Sequence, residues 1–258
     1  MKRTEHPPRP AAEASCGTVW KVESALYTPA AHDGSRALFL PRPYEPNYAY
    51  PLIVWLHAPG RQDERQLMWI MPQVSMQNFV AVAPRGFLRR DDSGTASYDW
   101  PETEDHIQEA DQRVFEAIEV ARRQFHVAEH RVFLAGFDAG GTMAFRIAME
   151  HPHRFAGVLS LCGAFPGGRQ PFRRLTEARR LPIFLALGRD SLRYSPSMAC
   201  DDLRLLHTAG FCITLRQYPC GHELDLRMLA DVNRWIMDLV MRPQSPADSD
   251  RTRPCPSE

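Results

Sequence analysis

Apolar positions along the chain gather into short continuous runs, separated by longer stretches with helical spacing. Pro51-Leu-Ile-Val-Trp-Leu-His57 and Phe79-Val-Ala-Val-Ala83 are apolar at nearly every position, the pattern of strands covered on both faces. Arg131–Ala135, Phe155–Leu161, Leu181–Leu187 and Phe211–Tyr218 repeat it. Between these runs, apolar residues recur three and four apart. That spacing predicts helices over Glu102–Phe125 (Ile107, Ala110, Val114, Ile118 and Ala121 on one face), Thr142–Glu150, Ala199–Thr208 and Leu224–Met241. Upstream, Val19–Tyr27 and Arg36–Leu40 read as early antiparallel strands, ended by Pro41 and Pro43. Strand–helix alternation of this kind predicts the α/β class, with a mostly parallel central sheet and helices on both faces.

The pattern stops at both ends. Residues 1–16 and 243–258 are rich in Pro, Ser and charge and carry no core-forming run, so disordered tails are expected around one domain over 17–242. Charge removes several function classes. The 31 basic and 31 acidic side chains cancel, which argues against a nucleic-acid partner bound through bulk charge. No stretch reaches the roughly 18 to 20 apolar residues of a membrane span. The opening MKRTEHPPRPAAEASCG lacks the apolar core of a secretory signal. The six cysteines show no CxxC pairing, so a reduced, cytoplasmic protein without metal or cofactor is expected. His151 reads as a helix-end residue, and neither it nor His153 has a carboxylate at metal spacing in the sequence.

Chemistry concentrates at Arg131-Val-Phe-Leu-Ala-Gly136-Phe137-Asp138-Ala139-Gly140-Gly141, a strand, a tight turn and a helix start. Gly136 and Gly140 flank the central residue where such a turn leaves no room for side chains. This is the G-x-S-x-G nucleophile elbow with aspartate at its centre.

The chain resembles the carboxylesterase/phospholipase branch of the α/β-hydrolases, which includes acyl-protein-thioesterase-like and dienelactone-hydrolase-like enzymes. The resemblance runs from about Pro51 to Val240. It is strongest in RVFLAGFDAGGTMAFRIAMEHPHRFAGVLSLCGAFP, where Phe137, Gly140, Gly141, Met143, His151, Pro152, Phe155, Ala156 and Gly157 stand at the family's positions. It implies an α/β-hydrolase fold without a large cap domain, and a small-molecule ester or acyl substrate. It also implies a site. His57-Ala58-Pro59-Gly60 matches the family's HGxG-like oxyanion loop, with Ala58 for the usual glycine and its backbone N–H as donor; Ala139 would supply the second donor. His222, in Tyr218-Pro-Cys-Gly-His222, matches the catalytic base. The family's acid stands three residues after the glycine of Leu187-Gly188; that place holds Ser191, and Asp190 is the nearest carboxylate and so the acid candidate.

Aspartate at the elbow leaves three readings open. An ester hydrolase of this type uses a histidine-activated hydroxyl, and a carboxylate attacking an acyl centre would give a mixed anhydride. A carboxylate serves better against sp3 carbon, where Asp138, His222 and Asp190 would form an epoxide-hydrolase-like or dehalogenase-like set. Against this, only Cys162–Arg180 stands where those families insert a cap, and Ala139 replaces a dehalogenase's tryptophan. A third reading is a catalytically impaired homologue with a binding or scaffold role, Asp138 serving as a helix N-cap worth about 1 kcal/mol. Tyr98-Asp99-Trp100 is a further pocket candidate. The pairs Arg173/Arg174 and Arg179/Arg180 are placed facing the site.

Overall fold

The computed structural model describes residues 25–28, 36–60, 63–90, 94–167 and 173–242. The tails expected at 1–16 and 243–258, and the first part of the strand expected over Val19–Tyr27, lie outside the described residues.

Ten strands and six helices alternate along the described chain. Eight strands form one sheet in the order β1-β2-β4-β3-β7-β8-β9-β10. β1 (Ala25–Thr28), β2 (Arg36–Phe39) and β4 (Val80–Pro84) pair antiparallel, as the opening pattern predicts. The others run parallel: β3 (Tyr50–Leu56), β7 (Val127–Phe137), β8 (Gly157–Leu161), β9 (Ile183–Gly188) and β10 (Ile213–Tyr218).

The continuous apolar runs follow from this burial, because alternate residues of each strand feed separate cores. Leu52, Val54 and Leu56 of β3 join Leu134 of β7 and Leu185 of β9 beneath α2 (Glu104–Gln124), α3 (Ala139–Glu150) and α5 (Pro196–Thr208). Ile53 and Trp55 join Phe133 and Phe184 beneath α1 (Gln66–Val74) and α6 (Leu226–Met241). Parallel strands buried on both faces lose the polar–apolar alternation of half-exposed ones.

A helix, a hairpin and the short helix between β8 and β9 were not predicted. α1 contains Pro72, which lacks a backbone N–H and masks a short helix in the sequence. β5 (Phe87–Arg90) and β6 (Ala96–Asp99) form a separate hairpin holding Tyr98 and Asp99, where a loop was expected. The region between β8 and β9 contains only the short α4 (Leu175–Ala178) among its described residues, so no large cap covers the sheet. Parallel strands place the ends of β3, β7, β9 and β10 on one edge. The chemistry-bearing loops all leave from there.

Candidate active site around Asp138

The elbow is built by contact between backbones. A Cβ on Gly136 would lie 2.4 Å from the carbonyl carbon of Gly140, and one on Gly140 would lie 2.3 Å from the Leu56 carbonyl oxygen. Only glycine lets α3 start this close to the end of β3. Between them Asp138 takes φ 55° and ψ −124°, outside the regions open to L-residues at no cost. Its backbone is tied down: its N–H donates to Leu161 O at 2.9 Å, and its carbonyl accepts from Thr142 N–H at 3.1 Å. Holding such a conformation costs of the order of 1–3 kcal/mol.

The carboxylate does not cap the helix, because no side-chain cap hydrogen bond is made. It points instead toward the loop after β10. His222 Nε2 lies 3.2 Å from Asp138 Oδ2, and both side chains are 14% exposed. This contact is a close approach without hydrogen-bond alignment, and Nε2 has no aligned partner. The Phe137 ring packs 5.4 Å from the imidazole.

The other imidazole nitrogen corrects one expectation. His222 Nδ1 lies 3.0 Å from Ser191 Oγ, not from Asp190. Asp190 turns outward and pairs with Arg189 at 3.0 and 3.1 Å. The Arg189 hydrogen bonds draw its carboxyl below the usual range. The physical reason lies in the turn after β9. Ser191 N–H donates to Gly188 O at 3.2 Å and Tyr194 N–H to Ser191 Oγ at 3.2 Å, which directs position 191 inward and position 190 to solvent. Gly188 touches the next loop so closely that a Cβ there would lie 1.9 Å from Gly221 O, and this contact brings Ser191 to His222.

A hydroxyl in the acid's place changes the histidine. A carboxylate there would only accept, fixing the proton on Nδ1 and leaving Nε2 bare. Ser191 can donate to Nδ1 instead. A bare Nε2 would set its lone pair against those of Asp138 at 3.2 Å. A proton on Nε2, in the neutral ring or in the imidazolium, removes that opposition.

The loop after β3 departs further from its expected role. His57 is fully buried; its Nδ1–H donates to Ala58 O at 2.7 Å, its Nε2 accepts from Gly86 N–H at 2.9 Å, and Trp100 Nε1–H donates to its carbonyl at 3.0 Å. Burial lowers its pKa, so the ring is neutral and built into the wall. Ala58 N–H, expected as an oxyanion donor, is taken by Gln66 Oε1 at 3.3 Å. Pro59 has no N–H, and Gly60 N–H donates to Tyr98 O at 2.9 Å. From Ala58 to Gly60 the loop has no free donor. Ala139 opens α3, where the first N–H groups lack acceptors within the helix.

Sequence reasoning missed Arg193. Its Nη1 lies 2.8 Å from Asp138 Oδ2 and its side chain is 63% exposed. An arginine in a loop carries no signal of its own; only the turn anchored by Ser191 aims it. The arginine pairs expected here lie elsewhere. Arg174 pairs with Glu150 and Glu177, Arg179 Nε–H donates to Ala209 O, and Arg173 lines a cleft between α2 and α3. Trp100 is a buried wall residue rather than a pocket face. The fold also brings carboxylates to the histidines that lack them in sequence: His151 meets Asp111 and His153 meets Glu177, each at 3.0 Å. Among the described residues, no group of three or more His, Cys, Asp or Glu could hold a metal ion. No described helix is long and apolar enough to cross a membrane.

Comparison with known proteins adds the family context. The phospholipase/carboxylesterase family model matches residues 50–240. A carboxylesterase from Mesorhizobium loti superposes with a TM-score of 0.66 at 18% identity, covering 83% of this chain and 99% of that one. Arabidopsis thaliana SOBER1 gives 0.64 at 21% identity, covering 74% and 100%, and Zea mays acyl-protein thioesterase 2 gives 0.61 at 18%, covering 80% and 99%. At these identities the likeness is one of fold. Among curated proteins, ribonuclease Z of Pyrobaculum neutrophilum is 27% identical over 123 residues, and this chain spans about two fifths (41%) of its length. That partial match assigns no family.

Proposed function

Because the chain belongs to the phospholipase/carboxylesterase family, we propose that it cleaves small carboxylic esters or related acyl compounds with Asp138 and His222. The observation that carries this reading is the carboxylate itself. It is held at a strained elbow, released from capping, and set 3.2 Å from the His222 Nε2 nitrogen. A carboxylate kept only for helix stability would bond the N-terminal N–H groups.

Water, rather than a side chain, is the nucleophile in this reading. Asp138 takes a proton from water as its oxygen forms a bond to the ester carbonyl carbon. As the tetrahedral species collapses, the bond to the leaving oxygen breaks and the His222 imidazolium gives that oxygen its Nε2 proton. The proton on Asp138 then passes to His222 across the same 3.2 Å contact, restoring the pair. Each acid or base role of this kind contributes about 10²–10⁴ in rate. Ala139, first residue of α3, carries one of the N–H groups without a helical acceptor and serves the developing oxyanion as donor in this reading. The free thiols Cys162, Cys200, Cys212 and Cys220 support a reducing, cytoplasmic setting.

One observation favours a second reading. A carboxylate displacing a group from sp3 carbon needs no oxyanion donor in its first step, and the β3 loop supplies none between Ala58 and Gly60. The test therefore has two arms. Phenyl acetate turnover by the wild type is expected to fall about 10²-fold or more in Asp138→Ala; equal rates would sink the assigned site. Intact mass after treatment with a simple epoxide distinguishes the second reading. An adduct mapped to Asp138 favours attack on alkyl carbon. A protein that neither turns over ester nor forms an adduct is a binding descendant of the family.

A further inference from the structure

Arg193 leaves a turn anchored on both sides. Ser191 and Tyr194 are buried, and the Tyr194 hydroxyl donates to Asp202 Oδ2 at 2.8 Å. Between these anchors Leu192 stands 94% exposed and Arg193 reaches over the elbow. A guanidinium presents five N–H donors in a planar fork. The 2.8 Å ion pair engages one arm with Asp138, while the side chain remains 63% open to solvent. Arg189, four residues earlier, contrasts with it: its Nε and Nη2 are both closed on Asp190.

We propose that Arg193 is the anion receptor of this site, and that the preferred substrates are esters carrying a free carboxylate a short spacer away from the scissile carbonyl. The proposal rests on the ester-cleaving reading above and names its substrate class. A carboxylate takes one edge of a guanidinium through two parallel hydrogen bonds. One edge of Arg193 stays with Asp138 while another holds the substrate, which sets the scissile carbonyl beside the water that Asp138 deprotonates. The guanidinium also brings positive charge to a site whose β3 loop has no N–H to give. Glu223, exposed on the loop that carries His222, opposes an incoming anion.

Phenyl hydrogen succinate and phenyl butyrate share a leaving group and differ at the far end of the acyl chain, so their kcat/KM ratio reads the receptor. The wild type is expected to prefer the succinate ester by about tenfold or more, the worth of one charge-assisted hydrogen bond. Arg193→Gln should bring the ratio close to one, mainly through KM, Arg193→Lys should keep part of it, and Glu223→Gln should raise it. A ratio unchanged in Arg193→Gln overturns the proposal. Calorimetric titration with succinate separates this proposal from the hydrolase reading. Succinate binding lost in Arg193→Gln, with neither protein turning over ester, supports the receptor and removes the hydrolysis. Equal succinate binding by both proteins, matched in melting temperature, overturns the receptor whatever the turnover.

Discussion

The elbow from Gly136 to Gly141 and the loops that surround it have been treated differently. At the elbow every contact that makes the turn is present: two glycines in backbone contact, a central residue at φ 55°, and a helix starting against the end of β3. In the loops the groups that would activate a serine are altered. Ser191 stands where an acid would meet His222, Asp190 is closed on Arg189, and Pro59 with the engaged Ala58 and Gly60 leaves no free N–H. The scaffold that presents a residue is thus separable from the shell that activates it. Asp138 has the first without the second, and His222 and Arg193 both lie within 3.2 Å of its carboxylate.

The largest effect is expected where the elbow itself is broken. Gly140→Ala places a methyl 2.3 Å from the Leu56 carbonyl, against backbone that cannot yield. A loss above about 4 kcal/mol, read by urea denaturation, is the expected outcome. A near-normal midpoint would mean that the close approach of α3 to β3 is not required.

The surrounding shell is tested next. Asp138→Ser alone should show no burst of phenol from a phenyl ester, because the hydroxyl gains neither a carboxylate-oriented histidine nor a full oxyanion hole. Adding Pro59→Gly and Ser191→Asp should bring acyl-enzyme formation, with the restored donor worth about 10²–10³ in rate. A burst in the single variant would show that the loops matter less than their geometry says.

The two acid candidates sharpen the comparison further. Ser191→Ala should reduce turnover about tenfold by freeing the imidazole, the scale of one lost hydrogen bond. Asp190→Asn should leave turnover and melting temperature unchanged, since its carboxylate faces solvent on Arg189. The reverse result would restore Asp190 as the histidine's partner.

Smaller shifts report on strain and on the buried wall. Asp138→Gly should be more stable than Asp138→Ala by about 1 kcal/mol, because glycine accepts φ 55° freely. His57 is held neutral by burial, whereas in the unfolded chain it takes up a proton as pH falls below 6.5. The unfolded state then binds more protons, so the fold loses stability on acidification through that window. Thermal melts from pH 7.5 to 5 should show this slope, and His57→Gln should flatten it while starting lower.

Much of the architecture is legible in the sequence. The β3 and β9 runs and Val132–Ala135 of β7 are apolar throughout because two cores draw on alternate residues, and α2 and α6 carry single apolar faces. α1 escaped because Pro72 interrupts it, and the β5–β6 hairpin because its residues are largely polar and partly exposed. The elbow motif singled out Asp138 and the family resemblance His222, and the fold brings the two side chains within 3.2 Å. Asp190 was not the partner, because sequence distance from Gly188 cannot say which of two adjacent side chains a turn directs inward. Pro59 needed no structure to be seen as a non-donor; the engagement of Ala58 by Gln66 did.

Order along the chain was enough to establish the parallel sheet, the elbow and the aspartate at its centre, because strand burial and glycine spacing are local patterns. Whether that aspartate caps a helix, faces an acid–base partner or meets a guanidinium depended on loops from β3, β9 and β10 converging at one sheet edge. Those loops lie far apart in the chain, and backbone contacts at Gly140 and Gly188 bring them together. The partner of His222 Nδ1 followed from that meeting, since the turn after β9 directs Ser191 inward and leaves Asp190 on Arg189.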